Sequence, residues 1–364
     1  MTPGIEHLVL TDFRNYIHAD ISPAPGINLI SGRNAQGKTN LLESIYLLST
    51  GRLLRSAKDG YGVREGQSRA VVYGSLLGSK AEIQVELKPG VRKRAMVNGS
   101  GLPRASDLLG RLPSVTFSTQ DLSIVTGEPA DRRHFLDAEL SQLLPTYLKH
   151  LGIYKRALEQ RNALLRLARD QSVSNDTFDA WEAALAQHGA SLRALRRDWV
   201  AEIEIWAAAS HHQLGMGEQL SMQYAPKDPS ITASELESAL NESRGLDIHR
   251  GSTGIGPHRD ELEIEIAGRP AKHYGSQGQQ RTAVIAIKLA TLESAKQTFG
   301  AAPVLLLDDI FSDLDETRRS RLIEVAYGEG GQVFLTCTEP SQAGESIVKS
   351  AKVYRVNSGS IETA

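Results

Sequence analysis

At 364 residues the chain is long enough for two or three domains. Apolar residues at 40% and charged residues at 23% exclude a disordered chain, and aromatics at 5% leave the cores to Leu, Ile, Val and Ala. The formal net charge is −2, but residues 1–170 carry 23 Lys and Arg against 16 Asp and Glu, whereas residues 171–364 carry 18 against 27, an asymmetry that leaves room for a polyanion-binding surface. Cys337 is the only cysteine, so no intramolecular disulfide forms, and Met1–Tyr16 holds no apolar run of signal-peptide or membrane-span length. A soluble cytoplasmic protein is expected.

In chain order, short apolar runs at His7–Leu10, Ile27–Ile30, Val71–Leu77 and Ile83–Leu87 predict strands. Residues 26–51 read as strand, Gly-rich turn and apolar helix, the helix covering Asn40–Leu48. From about Leu140 the period becomes helical, with Tyr147, Leu151, Tyr154, Leu158 and Leu165, then Trp181, Leu185, His188, Leu192, Leu195 and Trp199 in steps of four and three, extended by Ile203 and Trp206. The polar stretch Asp170–Asp176 separates the two runs, which predicts either a projecting pair of helices folded back on each other or helices of an ordinary subdomain. Lys227–Arg250 carries no clear pattern; Leu262, Ile264 and Ile266 predict a strand, Gln279–Thr298 a helix and Pro303–Asp309 a buried strand ending in two acids.

Residues 32–39, GRNAQGKT, match G-x-x-x-x-G-K-[ST] between a predicted strand and a predicted helix. In such a loop the backbone amides of Gly32, Arg33, Asn34, Ala35, Gln36 and Gly37 surround phosphate oxygens at a helix N-terminus. Lys38 reaches the terminal phosphates, Thr39 offers a hydroxyl to Mg²⁺, and Asn40 follows in the first helical turn. The run Val304–Asp309 has the form of a Walker B strand, with Asp308 as the Mg²⁺ ligand and Asp309 as the base that polarises the attacking water. About 265 residues separate the two motifs, so a large segment is inserted between them and the nucleotide site is built from both ends of the chain, an arrangement similar to SMC-like ATPases. Tyr274–Arg281, YGSQGQQR, resembles the signature loop of ABC-type ATPases, with Ser276, Gly278 and Gln280 keeping an S-x-G-x-Q core; Gln277 and Gln279 complete the loop, and Asp313 lies in a D-loop-like Ser312–Asp315. In that class the loop serves the nucleotide of a second molecule, so an ATP-dependent homodimer is expected.

Together these pieces resemble the RecF family over essentially the whole length: Phe13-Arg14-Asn15-Tyr16, GRNAQGKTNLLESIY, Gly51-Arg52 followed by Arg55, FSTQDLSIVTGEPADRRHFLD (117–137), GPHRDEL (256–262), GSQGQQRTAVIAIKLA (275–290) and LLLDDIFSDLD (305–315). The resemblance implies an α/β fold, a P-loop ABC-type, SMC-like ATPase head (1–125 plus 250–364) with an inserted helical, short antiparallel coiled-coil-like subdomain (126–249). It further implies a cytoplasmic, nucleoid-associated protein of DNA repair, replication, recombination and the SOS response. Such a protein binds ATP with Mg²⁺, dimerises on ATP, engages double-stranded DNA and ss/dsDNA junctions near gaps, and with RecO and RecR helps RecA to load. Slow, DNA-stimulated hydrolysis fits Asp309 standing where relatives in the wider class carry Glu. Gln120 is carried over as a Q-loop-like residue, and Arg14 and Asn15 as contacts of adenine or phosphate. A switch histidine is absent from Val333–Thr338, leaving Thr336 or Thr338 for the terminal phosphate.

Candidate DNA contacts are Arg52, Arg55 and Lys58 after the P-loop helix, Arg92, Lys93 and Arg94 in an expected hairpin turn, and Arg132 and Arg133. No basic stripe interleaved with aromatics suggests single-strand stacking, so duplex is favoured. The two alternatives are an ABC-type transport ATPase docking on a membrane partner, against which the long insert speaks, and an ATP-binding adaptor with little turnover. No membrane contact is expected.

Overall fold

The computed structural model describes residues 3–56, 58–214, 217–310, 322 and 330–364. The chain forms two compact units, one of residues 1–121 and 291–364 and the other of residues 122–290.

The first unit opens with β1 (Ile5–Phe13), β2 (Tyr16–Ile21) and β3 (Ile27–Ser31), then α1 (Lys38–Thr50), β4 (Ala70–Leu76), β5 (Glu82–Lys88), β6 (Val91–Val97), β7 (Ser100–Gly101) and β8 (Ser114–Ser118). Strands β2-β1-β4-β5-β6-β7 make an antiparallel sheet whose inner face alternates as the sequence does: Ile83, Val85 and Leu87 are buried and their neighbours are not. The chain returns to this unit with β12 (Val304–Asp308), β13 (Val333–Cys337), β14 (Lys352–Asn357) and β15 (Ser360–Thr363), giving a second sheet in the order β15-β14-β3-β13-β12-β8. All its pairings are parallel except β14 with β15. Its central strands β3 and β13 are buried at every position, which is why they are mainly apolar and do not alternate, the polar Asn28, Ser31 and Thr336 being buried among them. Helix α1 packs against both sheets, and Leu41, Leu42, Ile45, Leu47 and Leu48 are fully buried, so no side of it is left for a polar stripe.

The second unit contains the short α2 (Ser123–Thr126), then α3 (Pro129–Leu143), α4 (Pro145–Leu167), α5 (Asn175–Leu214), β9 (Leu220–Ala225), α6 (Ala233–Arg250), β10 (Glu261–Ile266), β11 (Arg269–Pro270), the short α7 (Ala271–Tyr274) and the start of α8 (Gln277–Phe299), within which the chain passes back to the first unit. The two helical runs of the sequence are α4 and α5. The 40-residue α5 packs on α4 but also on α6 and β9, and buries side chains from Phe178 to Leu214, which decides for a helical subdomain over a projecting pair. Residues 250–290, expected in the head, join this unit because β10 pairs with β9 from Glu261↔Ala225 to Ile266↔Leu220. The segment without a clear pattern contains α6, whose start carries a Thr232/Glu235 capping box and whose end meets Gly251 at φ 71.

Buried ion pairs organise the second unit. Arg161, wholly buried on α4, donates to Glu182 of α5 (2.9 Å), Asp247 of α6 (2.8 Å), the Thr253 hydroxyl (2.9 Å) and the Leu240 carbonyl (3.0 Å), so every face of its guanidinium is answered. Arg193 holds Asp260 through two bonds (2.7 and 2.8 Å), and Arg196 holds Asp137 (2.7 Å) and the Pro257 carbonyl (2.7 Å). The GPHRDEL segment is thus a structural knot of this unit. His258 donates from Nε2 to the Thr253 carbonyl (3.0 Å), which leaves Nδ1 to accept from the Tyr154 hydroxyl (2.6 Å).

Candidate nucleotide site

Strand β3 delivers the chain into the loop at 32–37, and α1 begins at Lys38. Gly37 takes φ 122, and a Cβ there would stand 2.7 Å from Asn15 Nδ2, so both the backbone angle and the space demand glycine. Arg33, Asn34 and Ala35 form the exposed crest, with Ala35 at φ 64. Lys38 is buried beneath it, its ammonium donating to the carbonyls of Gly32 (2.5 Å) and Arg33 (3.0 Å).

The loop is braced from two sides. Asn15 Nδ2 donates to the Gln36 carbonyl (2.7 Å) and the Tyr16 hydroxyl to the Gly37 carbonyl (3.0 Å). From far along the chain, Gly359 N donates to the Gln36 carbonyl (3.0 Å) and Ser358 N to Gln36 Oε1 (2.7 Å). Arg14 and Asn15, assigned above to the ligand, are committed behind the loop. Arg14 makes a two-pronged pair with the wholly buried Glu43 (2.7 and 2.8 Å), and Asn15 Oδ1 accepts from Asn40 Nδ2 (2.7 Å). Glu43 also accepts from Arg55 N (3.1 Å), and the Arg55 side chain bonds Asn40, which draws Arg55 into this brace. Glu43 escaped the sequence reading, although an acid on an otherwise apolar helix face signals a buried partner.

At the floor, Thr39 Oγ1 donates to Asp308 Oδ1 (2.9 Å), joining the start of α1 to the end of β12 across 269 positions. A hydroxyl and a carboxylate are hard oxygen donors, the set that suits Mg²⁺. Burial pushes the Asp308 carboxyl above its ordinary range, and the Thr39 and Thr336 hydroxyls pull it back. Thr336 is buried and Oγ1 donates to Asp308 Oδ1 (2.9 Å), while Thr338 is half-buried and lines a cleft of about 810 Å³ beside Ser31, Gly32, Arg33 and Arg355. Asp309 follows β12 with φ 51. Gln120 is exposed, two residues past the end of β8, whose Ser118 stands opposite Asp308 in the ladder. Asp313 lies outside the described residues.

In the second unit, Ser276 and Gln277 are exposed at the start of α8. Gln279 N donates to Ser276 Oγ (3.3 Å) and Ser276 N to Gln279 Oε1 (2.6 Å), a capping box legible as S-x-x-Q. The serine oxygen accepts from within the helix, and the Ser276 side chain stays exposed. Glu218 fixes the amide of Gln279 (2.6 Å). Gln280, read as part of the signature core, turns back to the carbonyls of Ala271 (3.0 Å) and Lys272 (3.2 Å), so Gln279 is the glutamine that meets Ser276. Gly278 is half-buried between them.

The basic candidates separate into two groups. Arg52, Arg55, Lys58, Arg92 and Arg94 are exposed, Arg55 while also held by Asn40 and Glu43. Arg92, Lys93 and Arg94 lie within β6, beyond the Pro89–Gly90 turn, and alternation turns Lys93 to the other face, where it pairs with Asp59 (2.6 Å). Arg132 is no surface contact: it is buried and makes two bonds to Glu261 (2.7 and 2.8 Å). Arg133 is half-buried and donates to the Asp260 carbonyl (3.0 Å). Among the described residues no helix is long and apolar enough to cross a membrane.

A phosphate loop between a buried parallel strand and a buried helix, with a carboxylate beneath it from β12, two strands over in the same sheet, defines a P-loop ATPase head of the SMC type. The RecF/RecN/SMC N-terminal domain family matches residues 4–362. The chain is 38% identical to the DNA replication and repair protein RecF of Heliobacterium modesticaldum over 365 residues, 98% of each chain, and 34% identical to that of Bacillus subtilis over 369 residues, 98% of this chain and 99% of the other. A solved structure of the recombination mediator protein RecF with ATP in the RecFOR pathway superposes with a TM-score of 0.92 at 30% identity, covering 100% of this chain and 98% of that one. The Smc head domain of Pyrococcus furiosus shares the fold at 17% identity, with a TM-score of 0.56 over 100% of this chain and 96% of that one. The chain belongs to the RecF family.

Proposed function

We propose that the protein is an ATP-dependent DNA-binding recombination mediator whose ATP, bound with Mg²⁺, closes two copies of the chain onto duplex DNA. The observation that carries the reading is the junction of the phosphate loop, Thr39 and Asp308, in a fold that matches RecF with ATP. Lys38 leaves the loop carbonyls for the terminal phosphates, the backbone amides of residues 32–37 surround the phosphate oxygens, and Thr39 with Asp308 holds Mg²⁺. The cation, when bound, neutralises charge on the phosphates. Asp309 accepts a proton from the attacking water, with Gln120 near the same strand ends. An aspartate is one methylene shorter than glutamate, which fits slow turnover and a switch that DNA stimulates. Ser276 of one copy, exposed at the start of α8, addresses the terminal phosphate bound to the other.

Double-stranded DNA and ss/dsDNA junctions are the proposed ligands, gripped through Arg52, Lys58, Arg92 and Arg94; RecO, RecR and RecA are the proposed pathway partners, as the RecFOR name of the matched structure suggests. Two measurements test the reading: size-exclusion with light scattering, with and without ATP and Mg²⁺, and binding to gapped, duplex and single-stranded oligonucleotides under the same conditions. A dimer at micromolar concentration with ATP, together with ATP-dependent preference for duplex or gapped DNA, is expected. A monomer in ATP, or DNA binding indifferent to nucleotide, sinks it.

A further inference from the structure

We infer that Thr336 is a positioning residue for hydrolysis, tying the carboxylate beneath the phosphate loop to the backbone of the neighbouring acid proposed as base. The inference rests on the ATPase reading above and deepens it. Thr336 stands in the middle of the β13 register and is wholly buried, so its hydroxyl is closed to a ligand phosphate. Its two hydrogen bonds have a fixed sense. Asp309 N can only donate, so Thr336 Oγ1 accepts there (2.8 Å), and its single proton goes to Asp308 Oδ1 (2.9 Å). The same Oδ1 receives the Thr39 hydroxyl (2.9 Å), so one oxygen is fixed from α1 and from β13 at once.

The second bond acts on Asp309. That residue leaves β12 in the left-handed region, at φ 51, a conformation that aspartate adopts more readily than most residues with a Cβ but still at a cost. The bond from its amide to Thr336 holds the backbone in that turn, and the turn sets the direction in which the Asp309 side chain departs. Thr336 thereby fixes the separation between the two acids: one by direct contact with its carboxylate, the other through its main chain. Thr338, two residues on and half-buried on the cleft, is the threonine placed to meet a ligand. The two threonines that the sequence left as alternatives have different work.

The test is kinetic and metal-linked. Thr336→Val keeps the shape and removes the hydroxyl; Thr336→Ser keeps the hydroxyl. In Val, kcat falls by about ten- to a hundredfold while KM for ATP stays within about twofold, and Ser recovers to within about threefold of the parent. Independently of turnover, a fluorescent ATP analogue titrated with Mg²⁺ shows a metal midpoint raised several-fold in Val and unmoved in Ser, with metal-free nucleotide affinity unchanged in both. Normal kcat and metal midpoint in Val overturn the inference, as does a Ser variant as impaired as Val, which would assign the effect to packing. If Val loses its melting transition, Thr336→Cys, of similar size and a weak donor, is read by the same criteria. Absence of hydrolysis by the parent chain would instead remove the ATPase reading itself.

Discussion

Gly37 and Arg132 mark the two ends of what a residue reveals by itself. Gly37 is readable because its reason is local: a φ of 122 and no room for a Cβ beside Asn15. Arg132 is not, because its charge is answered by Glu261, 129 positions later, and nothing in a basic pair of letters distinguishes a surface charge from a buried one. The same limit applied to Arg14, whose partner Glu43 sits on an apolar helix, and to His258. There, burial pushes the imidazole down to about 4, so the folded protein keeps it neutral where the unfolded chain, at about 6.5, takes up a proton. The stability this group confers is complete above pH 6.5 and is lost as pH falls from 6.5 towards 4, up to roughly 3 kcal/mol. Urea unfolding at steps between pH 7.5 and 4.5 checks it. His258→Gln starts less stable but declines less steeply, and the decline does not vanish, because His188 is depressed in the same direction by burial beside His150. An equal slope in both proteins would refute the assignment.

Elements were legible where a period or a cap declares itself. β5 alternates, β3 is mainly apolar without alternating, and α4 and α5 repeat at helical spacing, so all appear at the expected places. Helix α6 was missed although its Thr232/Glu235 box was available, because its buried face carries Arg244 and Asp247 among the leucines and blurs the apolar period. Those polar residues belong to the network that fixes α4, α5 and α6 together. Arg161→Met leaves Asp247 without its guanidinium and Glu182 with Arg244 alone, so the helical unit should lose about 3–5 kcal/mol. Loss of that size in denaturant unfolding, with the first unit's transition retained, is the expected result; a loss under about 1 kcal/mol would mean the network is dispensable. The S-x-x-Q cap of α8 was legible as a motif, whereas the lock that Glu218 places on Gln279 was not, since only the fold brings the two together.

For the whole molecule, the sequence anticipated that the residue 32–39 loop and Asp308 come together, because each lies in a compact motif, but misjudged where the units divide, because strand pairing between β9 and β10 leaves no local mark. Charge is likewise a property of the folded surface. Of the basic candidates, Arg92 and Arg94 share one face of β6 and remain exposed. Reversing both, Arg92→Glu with Arg94→Glu, should weaken duplex binding by tenfold or more in roughly 0.1 M salt and flatten the slope of log affinity against log salt by about two, leaving ATP affinity unchanged. Fluorescence anisotropy across a salt series measures both, and an unchanged slope would move the DNA to another surface.

The neighbours of β3 have a consequence for biosynthesis. Among the described residues β3 pairs with β13 and β14, and the turn that clasps Gln36 comes 322 positions after it. A nascent polypeptide that has reached only residue 300 therefore carries the GRNAQGKT stretch with no strand on either flank and no clasp. The two strands that flank β3 and the turn that holds Gln36 are thus among the last parts of the loop's surroundings to be synthesised.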